Sequence, residues 1–144
     1  MTASGNMEAG VLGIDSNILV RFLTRDDEVQ FEHASRLLGQ ADDRSLFLGV
    51  IVLVEVNWTL RRVYQQPAKE VLRTLEDLVD ARQFTVEDRD EVVRAIGIAR
   101  DSGADLSDAL IALRNEGAGC MRTATFDRRA LRIDQMASVA ELLK

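Results

Sequence analysis

Five carboxylates stand where a carboxylate calls for an explanation. Asp15 follows the apolar run Val11-Leu12-Gly13-Ile14 directly. Glu55 lies inside Val50-Ile51-Val52-Leu53-Val54-Glu55-Val56-Asn57-Trp58. An ionised group in so apolar a helix must be paired, neutralised or metal-bound. Asp105 and Asp108 are three residues apart in Asp105-Leu106-Ser107-Asp108, a spacing that puts both near one helix face. Asp127 closes Thr123-Ala124-Thr125-Phe126-Asp127. Two carboxylates ~5 Å apart repel by roughly 3 kcal/mol at an effective dielectric of about 20. A fold that gathers these acids therefore needs bound cations. Oxygen ligands without His or Cys select Mg²⁺ or Mn²⁺.

Each acid also has an ordinary structural use. Asp15 could cap the helix that follows, although Ser16 or Asn17 would serve as well. Glu55 could pair with an arginine such as Arg62. Asp105 could be an N-cap and Asp108 a first-turn acid favoured by the helix dipole, roles compatible with ligation. Asp127 could be a turn residue before Arg128-Arg129.

The chain has 144 residues, 47% hydrophobic and 29% charged, the balance of one globular domain with a real core. One Cys rules out an internal disulfide framework. One Cys and one His leave little for a zinc site or a Cys–His or Ser–His nucleophile. The longest apolar run, 46–54, is too short to span a bilayer, and residues 1–10 lack the basic and apolar regions of a signal peptide. A cytoplasmic protein is the expectation, with 1–10 a loose tail and 11–144 one domain. The net charge of −6 is unlike that of a protein that coats nucleic acid, so phosphate binding would need local positive charge. Lys69 and Lys144 are the only lysines among 18 basic residues. The arginine excess suits bidentate phosphate contacts, and a GC-rich coding bias would produce it too.

The elements that must position the acids follow from periodicity. Strands are expected at 11–14, 46–48, 83–86 and 120–126, with an edge strand within 137–142. Helices are expected at 17–23, 28–41, 50–64, 68–81, 90–101 and 108–116, with a short helix from 128. The helix at 50–64 is apolar almost all round in its first half, which predicts burial. Trp58 and Phe47 are expected in the core, Cys120 facing the core at a strand start, and His33 partly exposed. Strands alternating with helices imply an α/β domain with a mostly parallel central sheet. Ligands in such folds bind beyond the carboxyl ends of strands, where Asp15 and Asp127 fall.

Asp15-Ser16-Asn17-Ile18-Leu19-Val20-Arg21-Phe22-Leu23, Glu55-Val56-Asn57-Trp58, Asp105-Leu106-Ser107-Asp108-Ala109-Leu110-Ile111-Ala112 and Thr125-Phe126-Asp127, in that order, resemble the PIN-domain family. The likeness runs from Val11 nearly to the end and is nearest to the VapC-type toxins of VapBC toxin–antitoxin pairs. It implies a three-layer fold with a mostly parallel central sheet flanked by helices, and a metal-dependent endoribonuclease. The family's four acids carry over to Asp15, Glu55, Asp108 and Asp127. Asp105 matches an additional acid, and Asn17 and Thr125 match supporting polar residues. The resemblance implies Mg²⁺ or Mn²⁺ as cofactor, RNA as substrate, a VapB-type antitoxin as partner, and a homodimer. Arg21, Arg61, Arg62 and Arg128 are candidate phosphate contacts. A catalytically weak or inactive PIN-like interaction module is the alternative. A phosphoaspartyl protein fits poorly, because no lysine is placed for its site and Asp15 is followed by Ser16-Asn17 instead of a second aspartate.

Overall fold

The computed structural model describes residues 11–144, so the expected tail at 1–10 lies outside the described residues. The chain forms two compact units, one running to Glu87 and the other from Asp88 to Lys144.

The first unit contains β1 (Leu12–Gly13), α1 (Ser16–Thr24), α2 (Glu28–Gln40), β2 (Leu46–Leu48), α3 (Val50–Arg62), α4 (Ala68–Asp80) and β3 (Phe84–Val86). Its three strands are parallel in the order β1-β2-β3. Leu12 is opposite Leu46, and Leu46 is opposite Phe84. The helices turn spaced apolar stripes inward. On α4 these are Val71, Leu72, Leu75, Leu78 and Val79; on α3 they are Val50, Leu53, Val56 and Leu60, with Asn57 beside them. Full burial of one such leucine contributes about 1.5–3 kcal/mol. α1 packs on both α2 and α3. Phe22 and Phe31 stack 6.1 Å apart across α1 and α2, and Arg25 lies 4.3 Å over the Phe31 ring.

The second unit contains α5 (Arg89–Ser102), α6 (Leu106–Gly117), β4 (Thr123–Thr125), a 3-10 turn at Ala130–Arg132, β5 (Met136–Ser138) and α7 (Val139–Leu142). β4 and β5 pair in parallel. α5 packs on α6, and Arg114 of α6 ties their ends together by reaching Asp88 at 3.0 Å and Glu91 at 2.9 Å. Gly103 ends α5 at φ +78, and an added Cβ would lie 2.8 Å from Arg132 Nη1, so both backbone and space call for glycine.

Helices and parallel strands make the mixed α/β fold that the sequence predicts. Several local expectations are corrected. The edge strand placed within 137–142 is instead β5 followed by α7, because the Ser138 hydroxyl caps that turn by accepting from Glu141 N. Cys120 lies before β4 and is exposed. Phe47 faces outward from the middle strand, where pleat alternation buries Leu46 and Leu48 instead. Trp58 is 56% exposed, on the side of α3 away from its buried stripe. No helix among the described residues is long and apolar enough to cross a membrane.

Candidate active site

In the first unit, Asp15 sits just past β1 and is the N-cap of α1. Its Oδ1 accepts from Ser16 N at 2.7 Å and from Ser16 Oγ at 3.4 Å. Both bonds fall on one oxygen, which leaves Oδ2 turned to no donor among the described residues. The capping role is therefore real, and it occupies half of the carboxylate. Asn17, in the first turn of α1, is exposed and borders a groove with Arg21 and His33. His33 is exposed.

Glu55 differs from its expectation. It is exposed on α3, and no ion pair joins it to Arg62 among the described residues. Water solvates its carboxylate, so burial obliges it to no partner. An apolar run continuous in sequence is not continuous around a helix: Val50, Leu53, Val56 and Leu60 face inward, while Ile51, Glu55 and Trp58 face out. Sequence reasoning overlooked Glu87. This acid follows β3 as Asp15 follows β1, and its carboxylate accepts from Val50 N at 2.8 Å. It supplies the cap that Gly49 lacks and so fixes the start of the helix that carries Glu55. An acid directly after a strand was the available signal.

In the second unit, Asp105 is the N-cap of α6 and accepts from Ser107 N at 3.1 Å. Asp108 lies in the first turn, as its spacing predicts. Asp127 closes β4 in a turn. Its Oδ1 accepts from Arg129 N at 2.8 Å and from Ala130 N at 3.2 Å. Its own N–H donates to Thr125 Oγ1 at 3.0 Å, so Thr125 holds Asp127 as a supporting residue would. Partial burial, then the charges of Asp127 and Asp105, hold the Asp108 carboxyl above its ordinary value of 3.8. Asp108 accepts no hydrogen bond and joins no ion pair among the described residues. Asp127 and Asp105 are thus near enough to Asp108 to repel its charge.

All five acids lie inside the one stretch, residues 13–136, that matches the family model of the PIN domain. The chain belongs to the PIN domain family. PIN domains are generally nucleases, so membership supports a nuclease-type function. Among curated proteins none matches the chain. Among solved structures it is similar to PAE2754 from Pyrobaculum aerophilum, at 17% identity over 94% of this chain and 93% of that one. The TM-score is 0.31, and a likeness that distant carries no argument here.

For a PIN domain, the fit to a metal rests on the donors. They are all hard oxygens, and Asp108 is a half-buried carboxylate facing like charges, which a divalent cation would relieve. Among the described residues, however, no three Asp, Glu, His or Cys side chains converge closely enough to form a ready metal cage. The chemistry of the donors fits a hard cation.

Proposed function

We propose that this PIN domain is a metal-dependent endoribonuclease of the VapC type, acting as the toxin of a toxin–antitoxin pair. The observation that carries the reading is the match to the PIN domain over residues 13–136, which contains all five acids. The raised Asp108 carboxyl, held up by burial and then by Asp127 and Asp105, agrees with it. Asp15, Glu55, Asp105, Asp108 and Asp127 are the carboxylates that would hold Mg²⁺ or Mn²⁺. When bound, such an ion activates water and stabilises the oxygens of an in-line phosphoryl displacement. Asp15 offers its unengaged Oδ2 while its other oxygen is fixed by Ser16. Asp127 is held by two backbone amides and by Thr125, which orients its remaining oxygen. Glu87 fixes the start of α3 and so the orientation of Glu55. Arg21, Arg61, Arg62 and Arg128 are the proposed contacts to substrate phosphates, and Asn17 is the proposed polar support of Asp15. A VapB-type antitoxin and a homodimer belong to the same reading, as does a cytoplasmic setting for the toxin.

The test is cleavage of single-stranded RNA by the purified chain. Cleavage is expected in Mg²⁺ or Mn²⁺ and is expected to stop on chelation; undiminished activity in excess EDTA overturns the metal assignment. Expression alone is expected to slow growth, and co-expression of the neighbouring gene to relieve it. Harmless expression of active enzyme overturns the toxin role. The second reading is a catalytically weak or inactive PIN-like interaction module. Absence of RNA cleavage with either metal selects it.

A further inference from the structure

Helix α3 carries an exposed ridge made of Ile51, Glu55, Trp58 and Arg62. The spacing i, i+4, i+7, i+11 keeps all four on one side of the helix. Ile51 is 76% and Trp58 56% exposed, and Glu55 and Arg62 are exposed as well. Arg62 joins no ion pair among the described residues. Along the axis, Trp58 stands about 4.5 Å and Arg62 about 10 Å beyond Glu55. That length matches about three nucleotides of stacked rise at ~3.4 Å each. The ridge thus presents a carboxylate, an aromatic face and a guanidinium in a line.

We propose that this ridge is the track for single-stranded RNA, with a base stacked on the Trp58 indole and a backbone phosphate on Arg62, one turn or more beyond Glu55. The inference rests on the nuclease reading above and names how its substrate is held. Stacking on an exposed aromatic contributes about 1–3 kcal/mol per base and does not depend on sequence. A chain of net charge −6 has little general attraction for phosphate, so a stacking platform and one local cation are the chemistry that would hold a strand. A carboxylate separates the two apolar side chains and a guanidinium follows them. Charge thus interrupts the apolar surface, where the centre of a protein interface is depleted of Asp and Glu. Trp and Arg are common in such interfaces, and a second copy of the chain is the occupant that the test below separates from RNA. Trp58 is also partnered by no other ring among the described residues.

Trp58 is the chain's one tryptophan, so its emission reports on this ridge alone. The full chain is titrated with a short oligouridylate in chelator, and by stopped flow in Mg²⁺ before cleavage proceeds. An abasic chain of equal length supplies phosphates without bases. Saturable quenching by the oligouridylate and none by the abasic chain is the expected result. With a fluorescein-labelled oligouridylate, Trp58→Ala should weaken binding about 5- to 150-fold, the stacking energy converted to affinity. Trp58→Phe should keep most of the affinity, which separates lost stacking from misfolding. Arg62→Gln should lower the slope of log affinity against log salt by about 1. Unchanged emission in a protein that cleaves RNA overturns the ridge and leaves the nuclease reading intact. Quenching without cleavage in either metal keeps the ridge and overturns the nuclease. If emission follows protein concentration instead, and Trp58→Ala dissociates a dimer, the ridge is an interface between copies and the proposal falls. Neither quenching nor cleavage overturns both.

Discussion

The two units hold their acids in contrasting ways. In the first, Asp15 and Glu55 stand on exposed surface, on different elements, and neither takes an arginine partner among the described residues. In the second, Asp105, Asp108 and Asp127 sit near enough that two of them raise the third. A carboxylate on open surface costs the fold little, because water solvates it. Carboxylates drawn together at a half-buried position cost something, even though Asp105 and Asp127 also serve as local caps. The crowding of like charge therefore lies in the second unit, and the proposed roles of Asp15 and Glu55 are ones that only an activity measurement would show.

The largest effect expected is on cleavage. Loss of an outer partner in a metal site already costs ~10–100-fold, so Asp108→Ala, Asp15→Ala and Glu55→Ala should each lower the rate at least about 100-fold in Mn²⁺. Steady-state cleavage of one RNA by all three variants checks this. If only the Asp108 variant is impaired, the contrast sharpens into a site confined to the second unit.

Next in size is the Glu87 cap. Glu87→Ala removes the acceptor for Val50 N and leaves the start of α3 without a side-chain cap. Urea unfolding should show a loss of about 1 kcal/mol, the middle of the range for a lost cap. No loss of stability would show that solvent serves that amide equally well.

Asp108→Asn should act oppositely in the metal-free protein and stabilise it by up to about 1 kcal/mol after solvent screening. The sign follows from the direction of the shift. An acid whose folded pKa is raised is undisturbed below its unfolded value near 3.8, and loses stability as pH rises through the raised folded value. The gap between variant and wild type should thus be present at neutral pH and close as pH falls toward 3.8. Thermal melts in EDTA across that range measure it. A gap that widens on acidification would mean that Asp108 has a counter-charge. In Mn²⁺ the order should reverse, since a ligand at a hundredfold excess over its dissociation constant stabilises the wild type by about 2.7 kcal/mol.

The smallest effect belongs to Asp105→Asn. Asparagine caps a helix about as well as aspartate, so the metal-free melt should stay within about 0.5 kcal/mol of wild type. A larger rise would show that Asp105 shares the crowding of Asp108 as fully as Asp127 does.

Much of this was legible in the sequence, for reasons that can be named. Helices α2, α4 and α5 were readable because their apolar residues repeat at helical spacing and bury a single face. The Asp105 cap and the first-turn Asp108 were readable because capping is local chemistry. Glu55 misleads because a run of valines and leucines hides its period: a helix apolar almost all round in its first half predicts burial, whereas α3 buries one face only. Trp58 and Phe47 misled for a related reason: large apolar residues are more often inside, but the faces of α3 and β2 decide, not the residue type. Strand β5 was displaced because three residues beside a capping serine carry too short a pattern. That Asp127 and Asp105 act on Asp108 is a matter of distance across chain turns, which spacing alone does not supply.

Strand β1 is two residues long and lies at the edge of its sheet. Beyond the ladder itself, Leu12 N–H donates to Ser45 O at 2.8 Å and Ile14 N–H to Phe47 O at 3.4 Å. So brief a seam opens by fraying, without the rest of the protein unfolding. The amides of Leu12 and Ile14 should accordingly trade their protons for deuterium long before those of Leu48 or Val86. Asp15 hangs directly from that seam, so anything that grips its carboxylate also staples the sheet's edge. Slowed deuterium uptake at these two amides would then record occupancy at Asp15 without any reaction taking place.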